Sequence, residues 1–175
     1  MKLDKLFLTL TTIGGLLVSS DTSVIAGNST ANLTVNATVV ANCTVTTATI
    51  TFPNYDPIVA HASTPDDTTA VGAVTVACTK GTSSTIGLSF GQNATNSPRA
   101  MKDSAGNLLS YDLYTNSPGG TVWGNIGGPG TPYTPSPAAA PSKAPRAFNV
   151  YGRIPQAQDV PAGSYTDTVI ATVNF

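Results

Sequence analysis

Two cysteines, Cys43 and Cys78, are the residues of this 175-residue chain best suited to covalent chemistry. In an oxidising compartment, an even pair of cysteines most simply forms a disulfide. Closing a loop of about 36 residues would stabilise the folded state by roughly 4 kcal/mol in the chain-entropy model. The alternative is a pair of buried free thiols. A metal site needs more ligands than two cysteines and one histidine supply.

The other reactive side chains do not form a catalytic set. His61 is the only histidine, and it precedes Asp66 and Asp67 in a predicted loop, where all three are simplest to explain as solvated groups. The two aspartates lack the surrounding oxygen ligands of a cation-binding loop. The sequence has no nucleophile elbow, phosphate-binding loop or metal-spaced histidine cluster. We therefore predict a protein that is not an enzyme and holds no metal or cofactor.

The overall composition indicates an all-β fold. Only 10% of the residues are charged, the net charge is −1, and glutamate is absent. Thr, Val, Ala, Asn, Gly and Pro dominate, which favours strands and turns over helices. Because the sequence has neither a basic patch nor an acidic tail, it also argues against a nucleic-acid partner.

The N-terminus has the pattern of a secretory signal peptide over residues 1–26. Two lysines in Met1–Lys5 precede an uncharged, mostly apolar run, Leu6–Val18, and Val24 and Ala26 suit a cleavage site. A membrane anchor is the alternative, but spanning a bilayer takes about 20 apolar residues. Cleavage leaves 175 − 26 = 149 residues, which suits one exported domain.

Four segments alternate apolar and polar residues with the period of a half-buried strand. Turn-rich pieces separate them, and short strands at such spacing indicate a sandwich or barrel. The inward sets are Val74, Val76 and Cys78; Ile86, Leu88 and Phe90; Leu109, Tyr111 and Leu113; and Tyr165, Val169, Ala171, Val173 and Phe175, interrupted by Asp167. Residues 118–145 are instead rich in Gly, Pro and Ala, and we predict a long surface loop, more simply a tolerated insertion than a functional element.

A longer alternation occupies the start of the mature chain. Apolar residues and Cys43 fill every odd position from Leu33 to Val45, so a single strand would run roughly 43 Å, against a usual 17–20 Å. Either the first strand bends within its own domain, or Leu33, Val35, Ala37 and Val39 form a strand for another molecule. At the other end, the sequence stops on a strand predicted over Thr166–Phe175. A sandwich lacking one strand would expose a groove and an open edge there.

Several motifs resemble the spore coat protein U domain family. They occur in order over nearly the whole mature chain, and include Cys43, Phe52–Pro57, Val74–Thr79, Arg99–Met101, Leu109–Tyr114, Trp123–Gly124, Tyr151–Pro155 and Ala162–Val169. The family includes subunits of archaic chaperone–usher pili. The resemblance implies an incomplete immunoglobulin-like β-sandwich that is completed by donor-strand exchange.

The resemblance also assigns roles to residues. Residues 27–41 become a donor-strand extension with Leu33, Val35, Ala37 and Val39 as donor side chains, and residues 42–175 become the sandwich domain. Val169, Ala171, Val173 and Phe175 lie on the strand beside the acceptor groove and chaperone, and Cys43 pairs with Cys78. The implied partners are like subunits in a head-to-tail polymer, a periplasmic chaperone and an outer-membrane usher.

The function expected from these features is that of a structural subunit of a surface fibre that supports adhesion or biofilm formation. Such a subunit would be exported through the periplasm to the cell surface, or secreted. The alternatives are a spore-coat or matrix protein and a stand-alone secreted binding module, or adhesin.

Overall fold

The computed structural model describes residues 25–63 and 68–175. Most of the predicted signal peptide, and the pair Asp66 and Asp67, lie outside the described residues. The chain divides into two compact units, Met1–Ala37 and Thr38–Phe175. In the first unit, residues 25–37 are exposed and contain no strand, whereas the second unit carries seven strands. In the part of the chain that is described, no helix could cross a membrane.

The strands of the second unit confirm the predicted all-β class. Their bounds are β1 Cys43–Thr47, β2 Thr68–Cys78, β3 Thr85–Leu88, β4 Arg99–Lys102, β5 Leu108–Tyr114, β6 Arg146–Ile154 and β7 Ala171–Asn174. Five of them form an antiparallel sheet in the order β1-β2-β6-β5-β4, and β3 pairs with β7 in a second sheet. The final strand is shorter than predicted, because Thr166 bridges to Lys102 of β4 while residues 171–174 pair with β3.

The core lies between the two sheets and uses the alternating sets expected from the sequence. Val74, Val76, Ile86 and Leu113 are buried with the indole of Trp123, which is fully enclosed. β6 packs closely against the ring of Phe52 because residue 152 is a glycine. A Cβ at this position would lie 2.6 Å from that ring. β2 and β6 pair over nine residues, Thr68 opposite Ile154 through Val76 opposite Arg146, and form the middle of the larger sheet.

A buried arginine, Arg99, links the two sheets. The guanidinium of Arg99 lies 2.5 Å from the carboxylate of Asp112, and it also donates hydrogen bonds to main-chain carbonyls. The acceptors are the carbonyls of Leu88, Ser89 and Trp123, at 2.7 to 3.1 Å. Because the charge of Arg99 is paired with Asp112 and three carbonyls accept its other hydrogen bonds, a fully buried arginine can be accommodated at this position.

The Gly/Pro/Ala-rich segment 118–145 lies against the outer edge of β3. Tyr133 exchanges two main-chain hydrogen bonds with Ile86, each 2.8 Å, and Gly124 accepts one from Leu88. Ala138 and Ala140 accept from Ser84 and Gly81. Trp123 and Ala140 of this segment are buried in the core, and its glycines at 127–130 are exposed. The segment therefore covers one edge of the smaller sheet.

Candidate strand-binding groove

β7 has one paired side and one open side. Ser89 donates a main-chain hydrogen bond to the carbonyl of Ile170, its opposite residue in the antiparallel register. Hydrogen-bonded pairs alternate along such a ladder, so Thr172 and Asn174 face β3 as well. The N–H and C=O groups of Ala171 and Val173 therefore point to the other side. Within the described residues, no strand pairs with β7 on that side.

β1 has an open side by the same argument. Thr79 donates its N–H to the carbonyl of Asn42, and Ala48 donates to Ala73, which places even-numbered residues in hydrogen-bonded pairs with β2. The main-chain groups of Cys43, Val45 and Thr47 therefore point away from β2. β1 is an edge strand of its sheet. β7 lies beside β1, but in the described chain the two are not paired.

The predicted disulfide is confirmed, and it secures the open edge strand. Cys43 and Cys78 are directly opposite in the β1–β2 ladder, with a Cα–Cα distance of 4.1 Å and an S–S bond of 2.06 Å. By the same alternation they occupy a non-hydrogen-bonded position, where facing side chains come closest. β1 spans only five residues, so this bond adds covalent attachment to a short ladder.

The inward side chains of the last strand are only half-buried. Along residues 165–173, the odd positions are half-buried and the even ones exposed, and Phe175 is exposed. By contrast, Val74 and Val76 of β2 are 2% and 0% exposed. Val169, Ala171 and Val173 pack on the core from one side while their other side is uncovered. Apolar side chains in this position leave a surface that another apolar element can bury.

A cavity of about 390 Å³ opens where β1 ends and the last strand begins. Its lining includes the apolar side chains of Leu88, Met101 and Leu113, together with those of Ile50, Phe52 and Val169. We call the cavity, together with the facing open edges of β1 and β7, the strand-binding groove. Its lining brings together residues of β1, β2, β3, β4, β5 and β6, so it lies between the two sheets.

A charged side chain, Asp167, is part of the groove lining. The carboxylate of Asp167 accepts hydrogen bonds from the Tyr111 hydroxyl at 2.7 Å, the main-chain N–H of Gln92 at 2.9 Å and the Asn93 side chain at 3.1 Å. Burial, reinforced by this carboxylate, raises the pKa of Tyr111 far above its usual range. Tyr111 therefore stays a neutral donor, and Asp167 fixes the segment that precedes β7 to the loop at Gln92 and Asn93.

The residues predicted as donor side chains are exposed. Leu33, Val35 and Val39 expose 88, 83 and 82% of their surface, and Ala37 is also exposed. These four residues and the odd-numbered residues 169–175 therefore carry exposed or half-buried apolar side chains on either side of the sandwich core in the sequence. Sequence reasoning missed Phe52 and Met101 as groove residues, because neither lies in an alternating set. Tyr111 was predicted as an inward residue, but its bond to Asp167 has no local sequence signal.

The fold and the groove define a β-sandwich protein with two open edges that face each other. The Spore Coat Protein U domain model matches residues 29–172. Protein U of Myxococcus xanthus is 34% identical over 161 residues, which cover 86% of this chain and 87% of that protein. The chain therefore belongs to the spore coat protein U domain family, as its motifs predicted. This is a family of exported, structural proteins, so the prediction that the chain is not an enzyme is confirmed.

The fold is also similar to a solved pilus protein. A chain of the CsuC–CsuE chaperone–tip adhesion subunit pre-assembly complex, from archaic chaperone-usher Csu pili of Acinetobacter baumannii, superposes with a TM-score of 0.54. The sequences are 22% identical, and the match covers 79% of this chain and 40% of that chain. This chain thus spans about two fifths of the length of that solved chain. At this identity the similarity establishes the fold, and it confirms the predicted immunoglobulin-like sandwich.

Proposed function

We propose that this chain is a structural subunit of a surface fibre, an archaic chaperone–usher pilus, that polymerises by donor-strand exchange. The observation that carries the proposal is the pair of facing open edges, β1 and β7, with half-buried apolar side chains between them. A strand inserted there would pair with both edges and cover Val169, Ala171 and Val173. A single added strand would thus complete both the hydrogen bonding and the core.

The proposed inserted strand is residues 33–39 of another copy. Its odd residues are apolar and its even residues, Thr34, Asn36 and Thr38, are polar, which matches a groove with one apolar floor and one solvent side. Burying a Val or Leu side chain contributes about 1.5–3 kcal/mol. Neighbouring strands lie about 4.8 Å apart, so insertion would separate β1 and β7 to roughly twice that distance.

Exchange between copies is favoured over insertion of the segment into its own groove. Thr79 holds the carbonyls of both Val40 and Asn42, at 3.2 and 2.9 Å, so these residues continue the line of β1 beyond Cys43. Folding back beside β1 would need a turn within residues 40–42, which would break these bonds. An acceptor groove at one end of the sequence and a donor strand at the other generate an open head-to-tail polymer.

The same groove explains the proposed export partners. An exposed edge and an uncovered apolar strand invite aggregation unless another chain covers them. A periplasmic chaperone would fill the groove beside Val169–Phe175 until an outer-membrane usher replaces it with the next subunit. The complex seen for the Acinetobacter protein supports a chaperone partner for subunits of this fold. The assembled fibre would support adhesion or biofilm formation.

A spore-coat or matrix polymer is the second candidate. The 34% identity to Protein U of Myxococcus xanthus, over most of both chains, favours this use. The assembly chemistry would be the same, because it depends on the groove and the donor strand. The two candidates differ in where the polymer is deposited, which immunogold labelling of vegetative cells and spores would distinguish.

The test is the double variant Val35→Asp and Val39→Asp, expressed with the chaperone and usher. Two carboxylates placed in an apolar groove without partners are costly enough to prevent insertion. We expect a folded, disulfide-bonded, chaperone-bound subunit and no fibre on the cell surface. The matched control is Thr34→Asp with Thr38→Asp, which puts the same charges on the solvent side and should still polymerise. Normal fibres from the Val35/Val39 variant would refute strand exchange.

A further inference from the structure

The donor segment and the home sandwich have no spacer between them. Val39 is the last proposed donor side chain, and the carbonyl of the next residue, Val40, already accepts a hydrogen bond from the Thr79 hydroxyl at 3.2 Å. The carbonyl of Asn42 accepts from the N–H of the same threonine at 2.9 Å. A flexible connection between two bodies needs several unbound residues in a row, whereas here the carbonyls of Val40 and Asn42 are both held by Thr79.

The home side of this connection is also anchored on both strands. Cys43 follows Asn42 and is joined covalently to Cys78, the residue before Thr79. Beyond Thr79, the turn of residues 79–81 is held by a hydrogen bond from Thr82 to the carbonyl of Thr79 at 3.0 Å. A second bond, from Gly81 to Ala140, measures 2.8 Å. The donor segment therefore joins the sandwich at a position held by both the disulfide and the hydrogen bonds of the 79–81 turn.

We propose that successive copies of this chain meet at a rigid junction, in which the turn of residues 79–81 contacts the rim of the neighbour's groove. This inference rests on the proposed strand exchange. Because one residue advances an extended chain by at most about 3.6 Å, a neighbour that holds Val39 must approach the turn that holds Val40. The partner at this surface is therefore a second copy, and its orientation is fixed by the strand that both copies share.

The exposure of the residues around this turn fits a contact surface. Lys80 and Gly81 are exposed, and Val40 exposes 70% of its surface beside them. Val40 is also the one apolar residue among the even positions between Thr34 and Thr44. With odd side chains in the neighbour's groove, Val40 points the other way. Contact with the neighbour's rim at the junction would bury this otherwise unexplained apolar side chain.

The experiment compares fibres of the wild-type mature chain with fibres carrying Gly-Ser-Gly-Ser between Val39 and Val40. Electron micrographs give the persistence length, the subunit repeat and the angle between successive subunits. We expect one narrow angle in the wild type. The insertion should lengthen the repeat by up to about 14 Å, broaden the angle and lower the persistence length severalfold. The control carries the same insertion between Gly27 and Asn28, upstream of the donor segment, and should match the wild type.

A second variant keeps the inference testable if the insertion prevents assembly. Thr79→Val removes the hydroxyl that holds Val40 but keeps the side-chain shape and the N–H bond to Asn42. It should broaden the angle and shorten the persistence length less than the insertion does. A broad angle in wild-type fibres, or an insertion that leaves angle and stiffness unchanged, would overturn the rigid junction alone. Failure of the wild-type chain to form any polymer would overturn the proposed function with it.

Discussion

The two outer edges of the β3–β7 sheet are treated in opposite ways. On the β3 side, the main-chain groups of Ile86 and Leu88 are paired with Tyr133 and Gly124 of the loop segment, and Trp123 fills the core beneath them. On the β7 side, the equivalent groups of Ala171 and Val173 meet no strand within the described residues. Both edges belong to one small sheet, so the contrast is local.

This contrast argues that the open edge has a purpose. The chain closes the β3 edge with an irregular, proline-rich segment, which shows that a covering element need not be a regular strand. Exposed edges are normally blunted by charges, bulges or covering loops. The last strand instead presents apolar side chains at every odd position from Val169 to Phe175. The proposed donor strand would explain why this edge is left uncovered.

The substitution Trp123→Ala, beneath the covered β3 edge, should have the largest effect on the free energy of unfolding. The indole is fully buried, donates to the carbonyl of Ile86 at 2.9 Å and contacts Tyr133, so its removal leaves a large cavity and frees the loop. We expect the free energy of unfolding to fall by about 3–5 kcal/mol, measured by denaturant titration of the chaperone-free subunit. Trp123→Phe should lose less. A loss below about 1 kcal/mol would mean that the loop does not stabilise the β3 edge.

Most of the sandwich could be predicted from the sequence because its strands bury one face. Alternation identified β2, β3, β5 and the last strand, and the cysteine pair was predicted correctly. β4 and β6 were missed as strands for definable reasons. β4 begins with Arg99, whose burial depends on Asp112, a residue 13 positions away. In β6 an inward position is Gly152, which removes the apolar signal at the place where Phe52 packs.

The groove was predictable in its strands but not in its detail. The alternation of residues 165–175 indicated an inward face. It could not indicate that these side chains are only half-buried, because that depends on whether another strand pairs with the open edge of β7. The role of Asp167 could not be inferred locally, because its partners Tyr111, Gln92 and Asn93 are 56 to 75 residues distant. The covering of β3 by residues 133–140 has no alternation to predict it, since proline and alanine dominate there.

The substitution Tyr111→Phe, in the lining of the groove, should lower the free energy of unfolding by a moderate amount. This change removes the hydrogen bond to Asp167, which retains its other partners, and should cost about 1.5–3 kcal/mol at neutral pH. Folding raises the pKa of Tyr111. The neutral phenol therefore makes its full contribution to the free energy of unfolding below pH 10, about the pKa of tyrosine in the unfolded chain, and this contribution is lost as the pH rises further.

The pH dependence provides the measurement for this variant. Above about pH 10, the wild type should lose stability more steeply than Tyr111→Phe, because the Tyr111 phenol ionises in the unfolded chain while the folded state keeps it neutral. Urea titrations of both proteins between pH 7 and 11 would give the two slopes, and the five other tyrosines contribute equally to each. Parallel curves over that range would show that Tyr111 does not couple the groove wall to Asp167.

The smallest effect is expected on the open side, from Val173→Ala in the empty subunit. Its side chain is only half-buried, and each fully buried methylene is worth about 0.8 kcal/mol, so the loss should stay below about 1 kcal/mol. In a subunit supplied with a peptide of residues 30–41, the same change should cost about 1.5–2 kcal/mol, because the inserted strand completes the burial of the valine. Val76→Ala, a matched change at a fully buried position of β2, should cost the same with and without the peptide. The test compares how much the peptide changes the cost of Val173→Ala with how much it changes the cost of Val76→Ala, which cancels general effects of the peptide on stability.

If Val173→Ala costs the same with and without the peptide, the donor strand does not cover the last strand. The contrast between the two edges then loses its functional explanation.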